Sequence, residues 1–450
     1  RMKVTSQWKD LMTDINMTSF ETFFSLVSSE DKASTVRPGV IARDQHGMEK
    51  LYPIMIVPGL TTTGLELWKG KPCAKAYFKQ RLWGTMSMFS SLALMDTECW
   101  LEHISLNETS GLDPEGIKVR PAQGLDNVEY FIPGFWVWAK IVESLADIGY
   151  DASDLQVSPY DWRLSPAKLQ ERDGMFTRLK HALESSFEVH GKAACVLAHS
   201  YGDTLLRYFM TWVESDQGGK AGKGWVNKHI HRYVNIAGPL LGVPKAVTGV
   251  TAGETSDSIW LPDLASFLPD RSILSRSGRA QWFRSMSSGS FLLPQGGTTF
   301  WGDSTSAPDD SEETRDSPFS YGTFACIGGD DIGFGRNESA VRDCAALTIT
   351  DAIKLMFHRG GKALRMNYGM QDVQAAYSQE KVVQPKEKTS EVWGHPLLDP
   401  LPHAPDLKMY CFYGVGKQTE RSYVLKYDEE ADLLMIDTSV DDPSVQIENG

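Results

Sequence analysis

Short apolar runs recur along the chain, each closed by a turn signal or a helix start, with amphipathic stretches between them. In the first, Ile54-Met55-Ile56-Val57 is stopped by Pro58-Gly59, which predicts a buried strand ending at a tight loop. Helical spacing follows over Phe135 to Leu145, and a strand-like run spans Leu155 to Tyr160. Phe176, Leu179, Leu183 and Phe187 recur at three- and four-residue intervals, the mark of a long amphipathic helix. Ala194 to Ala198 reads as another buried strand, Thr204 to Glu214 as a helix and Tyr233 to Ala237 as a strand. Leu407 to Gly414 predicts a further buried strand, and Ser422 to Asp437 a hairpin. Strands alternating with helices imply an α/β protein whose mostly parallel sheet is covered on both faces.

Two segments break this rhythm. Residues 1 to 50 are polar apart from Phe20, Phe23, Phe24 and Val27, and are expected to form a helix and linker ahead of one large domain over residues 51 to 450. From about residue 239 to 390, Gly, Ser, Pro and Asp dominate and periodic segments are short, so a large cap insertion is expected there.

Composition narrows the function. Hydrophobic residues at 41% and charged residues at 23% describe an ordinary globular chain able to bury a sizeable core. With 58 acidic and 45 basic residues the net charge is −13, which gives no electrostatic reason to bind nucleic acid. No apolar run approaches the length of a membrane-spanning helix. The chain opens Arg1-Met2-Lys3 and carries no signal-peptide pattern, so it is expected to be cut at that end. The 6 cysteines match no zinc spacing. Cys195 and Cys411 lie in strand-like runs and are expected to be buried thiols. Cys73 and Cys99 bracket a polar and aromatic segment, and a bridge closing that loop would suit an oxidising compartment. The sequons at Asn16, Asn107 and Asn337 are compatible with a secretory lumen.

The chemistry centres on Ala198-His199-Ser200-Tyr201-Gly202, set between an apolar strand and a helix. This is the nucleophile-elbow pattern of the α/β-hydrolase fold with Ala in place of the first Gly. A strand-turn-helix this sharp lifts the Ser200 hydroxyl above the sheet edge and tolerates only small residues two positions either side. The helix start beyond it offers the Tyr201 amide to an oxyanion. A second donor is expected from the loop after the first strand, where the amide of Leu60 is nominated; the bland alternative is an ordinary Pro-Gly turn. Asp161 and Arg163 read as a structural ion pair at the same sheet edge rather than as catalytic groups. A serine needs a base and an orienting acid. Of the histidines after Ser200, His229 and His231 are expected to face solvent, His395 and His403 precede the strand at Leu407, and none follows His403. No triad Asp or His is therefore evident in these residues, and it is the family resemblance described next that implies both lie beyond Gly450.

The chain resembles the lecithin:cholesterol acyltransferase family, and most closely its phospholipid:diacylglycerol acyltransferase branch. Matching stretches run in order from Thr63-Gly64-Leu65-Glu66-Leu67-Trp68 through Lys79-Gln80-Arg81-Leu82-Trp83-Gly84, Cys99-Trp100-Leu101-Glu102-His103 and Thr109-Ser110-Gly111-Leu112-Asp113-Pro114. They continue through Tyr160-Asp161-Trp162-Arg163-Leu164, His199-Ser200 and Gly238-Pro239-Leu240-Leu241-Gly242-Val243-Pro244 to Thr419-Glu420-Arg421-Ser422-Tyr423-Val424. The resemblance implies that Ser200 takes up an acyl group, that Leu60 and Tyr201 form the oxyanion hole, and that Cys73 and Cys99 pin a lid over about residues 73 to 99. Trp83, Met86 and Phe89 would then meet the acyl chain or a membrane surface, core packing being the alternative. It also implies transfer from phospholipid to diacylglycerol on the lumenal side of the endoplasmic reticulum, with no metal or dissociable cofactor. Tyr201 and Asp203 depart from the residues usual in that branch. The family's Gly-Asp-Gly loop and later His stretch do not occur, so the chain is expected to be cut at its C-terminus as well. The rivals are a phospholipase or lipase of the same fold, and a catalytically inactive lipid-binding fragment.

Overall fold

The computed structural model describes residues 36–84, 97–132, 135–253, 276–312, 314–315, 320–328, 345–368, 390, 392–415, 419–428, 433–436 and 446–447. The stretch around Phe20 to Val27 and the lid residues Met86 and Phe89 lie outside this set.

In chain order the principal elements are β1 (Ile54–Val57), β2 (Leu65–Lys69), β3 (Arg81–Trp83), α1 (Thr97–Ile104), β4 (Lys118–Pro121), α2 (Ala139–Asp147), β5 (Leu155–Val157), α3 (Met175–His190), β6 (Ala194–His199), α4 (Tyr201–Glu214) and β7 (Ile230–Ile236). Next come α5 (Pro244–Ala252), β8 (Ala325–Gly328), β9 (Ala345–Leu347), α6 (Ile349–Asn367), β10 (Lys408–Phe412), β11 (Tyr423–Asp428) and β12 (Leu433–Ile436).

The central sheet has the order β10-β7-β6-β1-β5, with every neighbouring pair parallel. Parallel strands need helical crossovers, which cover both faces of the sheet. On one face α3 and α4 bury Phe176, Leu179, Leu183, Leu205, Leu206 and Phe209 against Val57, Val196 and Ala198. On the other, Ile54, Ile56 and Leu155 pack with Val128 and Trp138. This is the α/β architecture that the alternating pattern foretold, and its sheet is of the α/β-hydrolase type.

A three-stranded antiparallel sheet, β3-β2-β4, stands beside it and carries Trp83. A second core joins part of the stretch expected as a cap to the hairpin that follows β10. There β9-β8-β11-β12 form a four-stranded sheet against α5 and α6, and the hairpin expected from Ser422 is β11 and β12.

Four expectations are corrected. The strand at Leu407 pairs in parallel with β7, but it is the sheet edge and all five residues of β10 are exposed. Cys411 is therefore exposed, and Cys195 is only half-buried. His229 is buried, its ring stacked on Trp225 at 4.4 Å and its Nδ1 bonded to the Trp225 carbonyl oxygen at 2.9 Å, because the two sit one helical turn apart. The cap stretch, expected to hold only short periodic segments, contains the 19-residue helix α6, capped by the Thr348 hydroxyl accepting from the Asp351 amide.

Candidate active site

β6 ends at His199 and α4 begins at Tyr201, so Ser200 alone makes the turn. Its backbone sits at φ 53° and ψ −125°, a conformation costing a non-glycine residue on the order of 1–3 kcal/mol. The surroundings enforce it. The Ser200 amide donates to the Ile236 carbonyl of β7 at 2.9 Å, and the Asp203 amide closes the first turn of α4 onto the Ser200 carbonyl at 2.9 Å. A Cβ on Gly202 would lie 2.3 Å from the Pro58 carbonyl oxygen and 2.4 Å from that of Val57. Only glycine lets α4 start this close to the end of β1. Ala198 is fully buried, which explains why a methyl group is the most this position admits.

Gly202→Ala is therefore expected to lose about 2 kcal/mol or more, since backbone atoms cannot yield as a side chain can. Urea denaturation checks this, and unchanged stability would mean that the elbow relaxes freely.

The loop after β1 passes directly over the serine. A Cβ on Gly59 would lie 3.1 Å from the Ser200 Cβ and 2.7 Å from the His199 Nδ1. Leu60, the next residue, is half-buried against the core. Two tyrosines link this loop and the elbow through the segment that follows β5: the Tyr160 hydroxyl donates to the Pro58 carbonyl at 2.7 Å, and the Tyr201 hydroxyl donates to the Leu164 carbonyl at 3.0 Å. The Trp83 indole donates to the Thr61 carbonyl at 2.8 Å and packs among Phe131, Trp162 and Trp282 at ring separations of 5.3, 5.1 and 5.4 Å. Trp162 does the same one step on, donating to the Thr63 carbonyl at 3.0 Å. The elbow and the oxyanion loop are thus held as one rigid unit.

Asp161 and Arg163 belong to a buried ion network. Arg163 donates through Nε and Nη2 to the two Asp161 oxygens at 2.9 and 2.6 Å, and Arg172 adds a contact at 2.8 Å. Asp113 reaches Arg172 at 3.2 Å, and Asp173 also pairs with Arg172 at 2.6 Å. Burial alone would raise the Asp161 carboxyl, but the two guanidinium groups outweigh it and hold the group well below the usual carboxylate range. This is the structural pair expected, enlarged.

Cys73 and Cys99 are joined by a disulfide that ties the segment before β3 to α1. Beside them the His103 ring bonds the Lys71 amide at 3.0 Å and the Cys99 carbonyl at 2.6 Å, so its two nitrogens serve this corner of the fold.

No imidazole reaches the Ser200 hydroxyl among the described residues. The half-buried His199 sets its ring edge-on to Trp138 at 6.1 Å, and its pKa is lowered by desolvation.

Asp203 was noticed in the sequence only as a departure. It is fully buried one turn beyond Ser200, takes the Tyr233 hydroxyl on Oδ1, and has no hydrogen bond to Oδ2. Burial pushes its carboxyl up to about 6, with the Tyr233 bond and nearby Arg207 pulling the other way. The native state therefore holds a proton that the unfolded chain loses near pH 4, and stability falls as pH rises between about 4 and 6. Asp203→Asn keeps an acceptor for Tyr233 and removes the charge. It is expected to raise the melting temperature above pH 6 and to leave it unchanged near pH 4; an equal shift at both would mean that the charge is not the cause.

The fold and this site define a class: an α/β-hydrolase-type protein that presents a serine at a strained elbow beneath a loop of backbone amides. The family model for lecithin:cholesterol acyltransferase matches residues 77–448. A phospholipid:diacylglycerol acyltransferase of Schizosaccharomyces pombe is 38% identical over 450 residues, covering 98% of this chain and 68% of its own. One from Saccharomyces cerevisiae is 35% identical, covering 94% of this chain and 63% of its own. A putative phospholipid:diacylglycerol acyltransferase 2 of Arabidopsis thaliana is 34% identical, covering 86% and 68%. The chain belongs to the lecithin:cholesterol acyltransferase family. A chain of the Tle4–Tli4 crystal structure aligns with 88% of it at a TM-score of 0.42 and 11% identity, a likeness too weak to bear on the argument.

Proposed function

We propose that the chain forms the acyl-transfer body of an enzyme that moves a fatty acyl group from a phospholipid to diacylglycerol through an ester on Ser200. The observation that carries this reading is the strained Ser200 backbone, held by neighbours that make no sense for a plain turn. Its hydroxyl has no hydrogen-bond partner among the described residues and is open to an incoming ester.

Ser200 Oγ attacks the ester carbonyl, and the amides of Leu60 and Tyr201 hold the oxyanion, each such donor contributing about 3 kcal/mol. The bond to the glycerol oxygen breaks, the serine proton passes through a base to that oxygen, and lysophospholipid leaves. The diacylglycerol hydroxyl then attacks the acyl-serine, its proton returns through the base to Ser200 Oγ, and triacylglycerol is released. The base and its orienting acid are assigned to sequence outside the described residues.

Trp83 fixes the oxyanion loop, and with Met86 and Phe89 it is assigned to the lid that keeps water from the acyl-serine. The Cys73–Cys99 bridge suits an oxidising compartment, and the protein is assigned on this reading to the lumenal membrane surface of the endoplasmic reticulum. Among the described residues no helix is long and apolar enough to cross a membrane.

Supplying acyl-labelled phospholipid with and without diacylglycerol tests the reading. Label should move into triacylglycerol when the acceptor is present. Free fatty acid as the sole product in both cases would make the protein a phospholipase, and no Ser200-dependent product would make it a lipid-binding relative.

A further inference from the structure

Five described residues other than glycine have a positive φ, and three of them gather at the elbow. Ser200 is one, at 53°. Ala237, at 50°, follows Ile236, whose carbonyl takes the Ser200 amide. The third is Thr61, at 63°, in the loop that passes over the serine. A branched Cβ makes this conformation rarer for threonine than for most residues, and outliers of this kind collect where a functional site holds them.

Gly59 to Thr62 form a turn, closed by the Thr62 amide on the Gly59 carbonyl at 3.4 Å. With the positive φ at its third residue it is a type II turn, where glycine is the ordinary occupant. Two side chains hold it against the strain. The Thr62 hydroxyl donates to the same Gly59 carbonyl at 2.8 Å, a shorter bond than the amide makes. The Trp83 indole donates to the Thr61 carbonyl at 2.8 Å.

The grip on Gly59 bears directly on the oxyanion donor. The Gly59–Leu60 peptide is trans, so its carbonyl and its N–H point to opposite sides. Turning the carbonyl inward to Thr62 therefore turns the Leu60 N–H out of the turn. A carbonyl that accepts two hydrogen bonds also polarises its own peptide, which strengthens that N–H as a donor. Gly59 itself lies against the elbow, since a Cβ there would come within 3.1 Å of the Ser200 Cβ.

We propose that Thr62 is a positioning residue of the oxyanion hole: its hydroxyl aims the Leu60 amide, and the strained Thr61 and the Trp83 indole keep that hydroxyl in place. The proposal rests on the acyl-transfer reading above and deepens it.

An alkyl fluorophosphonate tests it, with the assigned base present. Ser200 Oγ bonds the phosphorus, fluoride leaves, the serine proton passes to the base, and the phosphonyl oxygen takes the oxyanion position. Mass spectrometry of the Ser200 peptide over a range of probe concentrations separates the maximal labelling rate from the half-saturating concentration. Thr62→Val keeps the methyl and loses the hydroxyl. It should lower the maximal rate about tenfold, the size of one hydrogen bond, at an unchanged half-saturating concentration. Thr62→Ser loses the methyl and keeps the hydroxyl, and should recover the rate to within about twofold; a packing role would reverse that order. Trp83→Phe should slow labelling as well, and adding Thr61→Gly, which adopts positive φ freely, should restore it. That pair keeps the proposal testable if Thr62→Val does not fold.

Labelling of Thr62→Val at the parent rate, Thr62→Ser slowed as much as Thr62→Val, or a Trp83→Phe defect that Thr61→Gly does not relieve overturns the proposal. In each case the parent still labels at Ser200, and the acyl-transfer reading stands. A parent that never labels at Ser200 sinks that reading, and the role of Thr62 with it.

Discussion

Where the base assigned outside the described residues is present, replacing Ser200 with Ala is expected to lower acyl transfer by a factor on the order of 10⁶, the scale of losing the nucleophile from a complete serine triad. Folding should not suffer. The native φ of 53° is strained for serine and for alanine alike, and the lost hydroxyl bonds nothing among the described residues. Stability within about 0.5 kcal/mol of the parent, measured by urea denaturation, should therefore accompany the loss of turnover. Residual activity of a tenth or more would move the nucleophile elsewhere. A large loss of stability would mean that the hydroxyl serves the fold.

The largest stability effect belongs to Asp161. Its two oxygens face Arg163 and Arg172, and all three side chains are buried. Asp161→Asn preserves shape but leaves two guanidinium groups against a neutral amide, with only Asp113 and Asp173 to compensate. Breaking a buried ion network by removing one partner costs about 3–5 kcal/mol, and a shifted urea midpoint at unchanged slope would register it. The network also explains a sequence feature. Asp113 lies 59 residues from Arg172, yet it bonds that side chain directly, so the stretch from Thr109 to Pro114 is held by charge to the strand end beside the elbow. A change under 1 kcal/mol would mean that the surrounding charges rearrange to replace it.

What could be read from sequence follows how local the physics is. Buried parallel strands appear as continuous apolar runs because both faces are covered, so Ile54–Val57 and Ala194–His199 were recognisable. The elbow was recognisable because its constraints, small residues at Ala198 and Gly202, are steric and lie within two positions of Ser200. Where a strand sits in the sheet is not local. Met409, Tyr410 and Phe412 gave β10 the pattern of a buried strand, yet it lies at the edge with those side chains exposed. The helix α6 was hidden because Gly360 and Gly361 fall inside it, where glycine argues against helix.

The central claim is that Ser200 carries the acyl group between two lipids. Acyl-labelled phospholipid can be mixed with the protein, quenched within a turnover, and the digest mapped by mass spectrometry, with and without a chase of diacylglycerol. The account predicts an acyl ester on the peptide containing Ser200 that disappears into triacylglycerol during the chase. An ester on any other residue, or labelled triacylglycerol formed while Ser200 is never acylated, would contradict it.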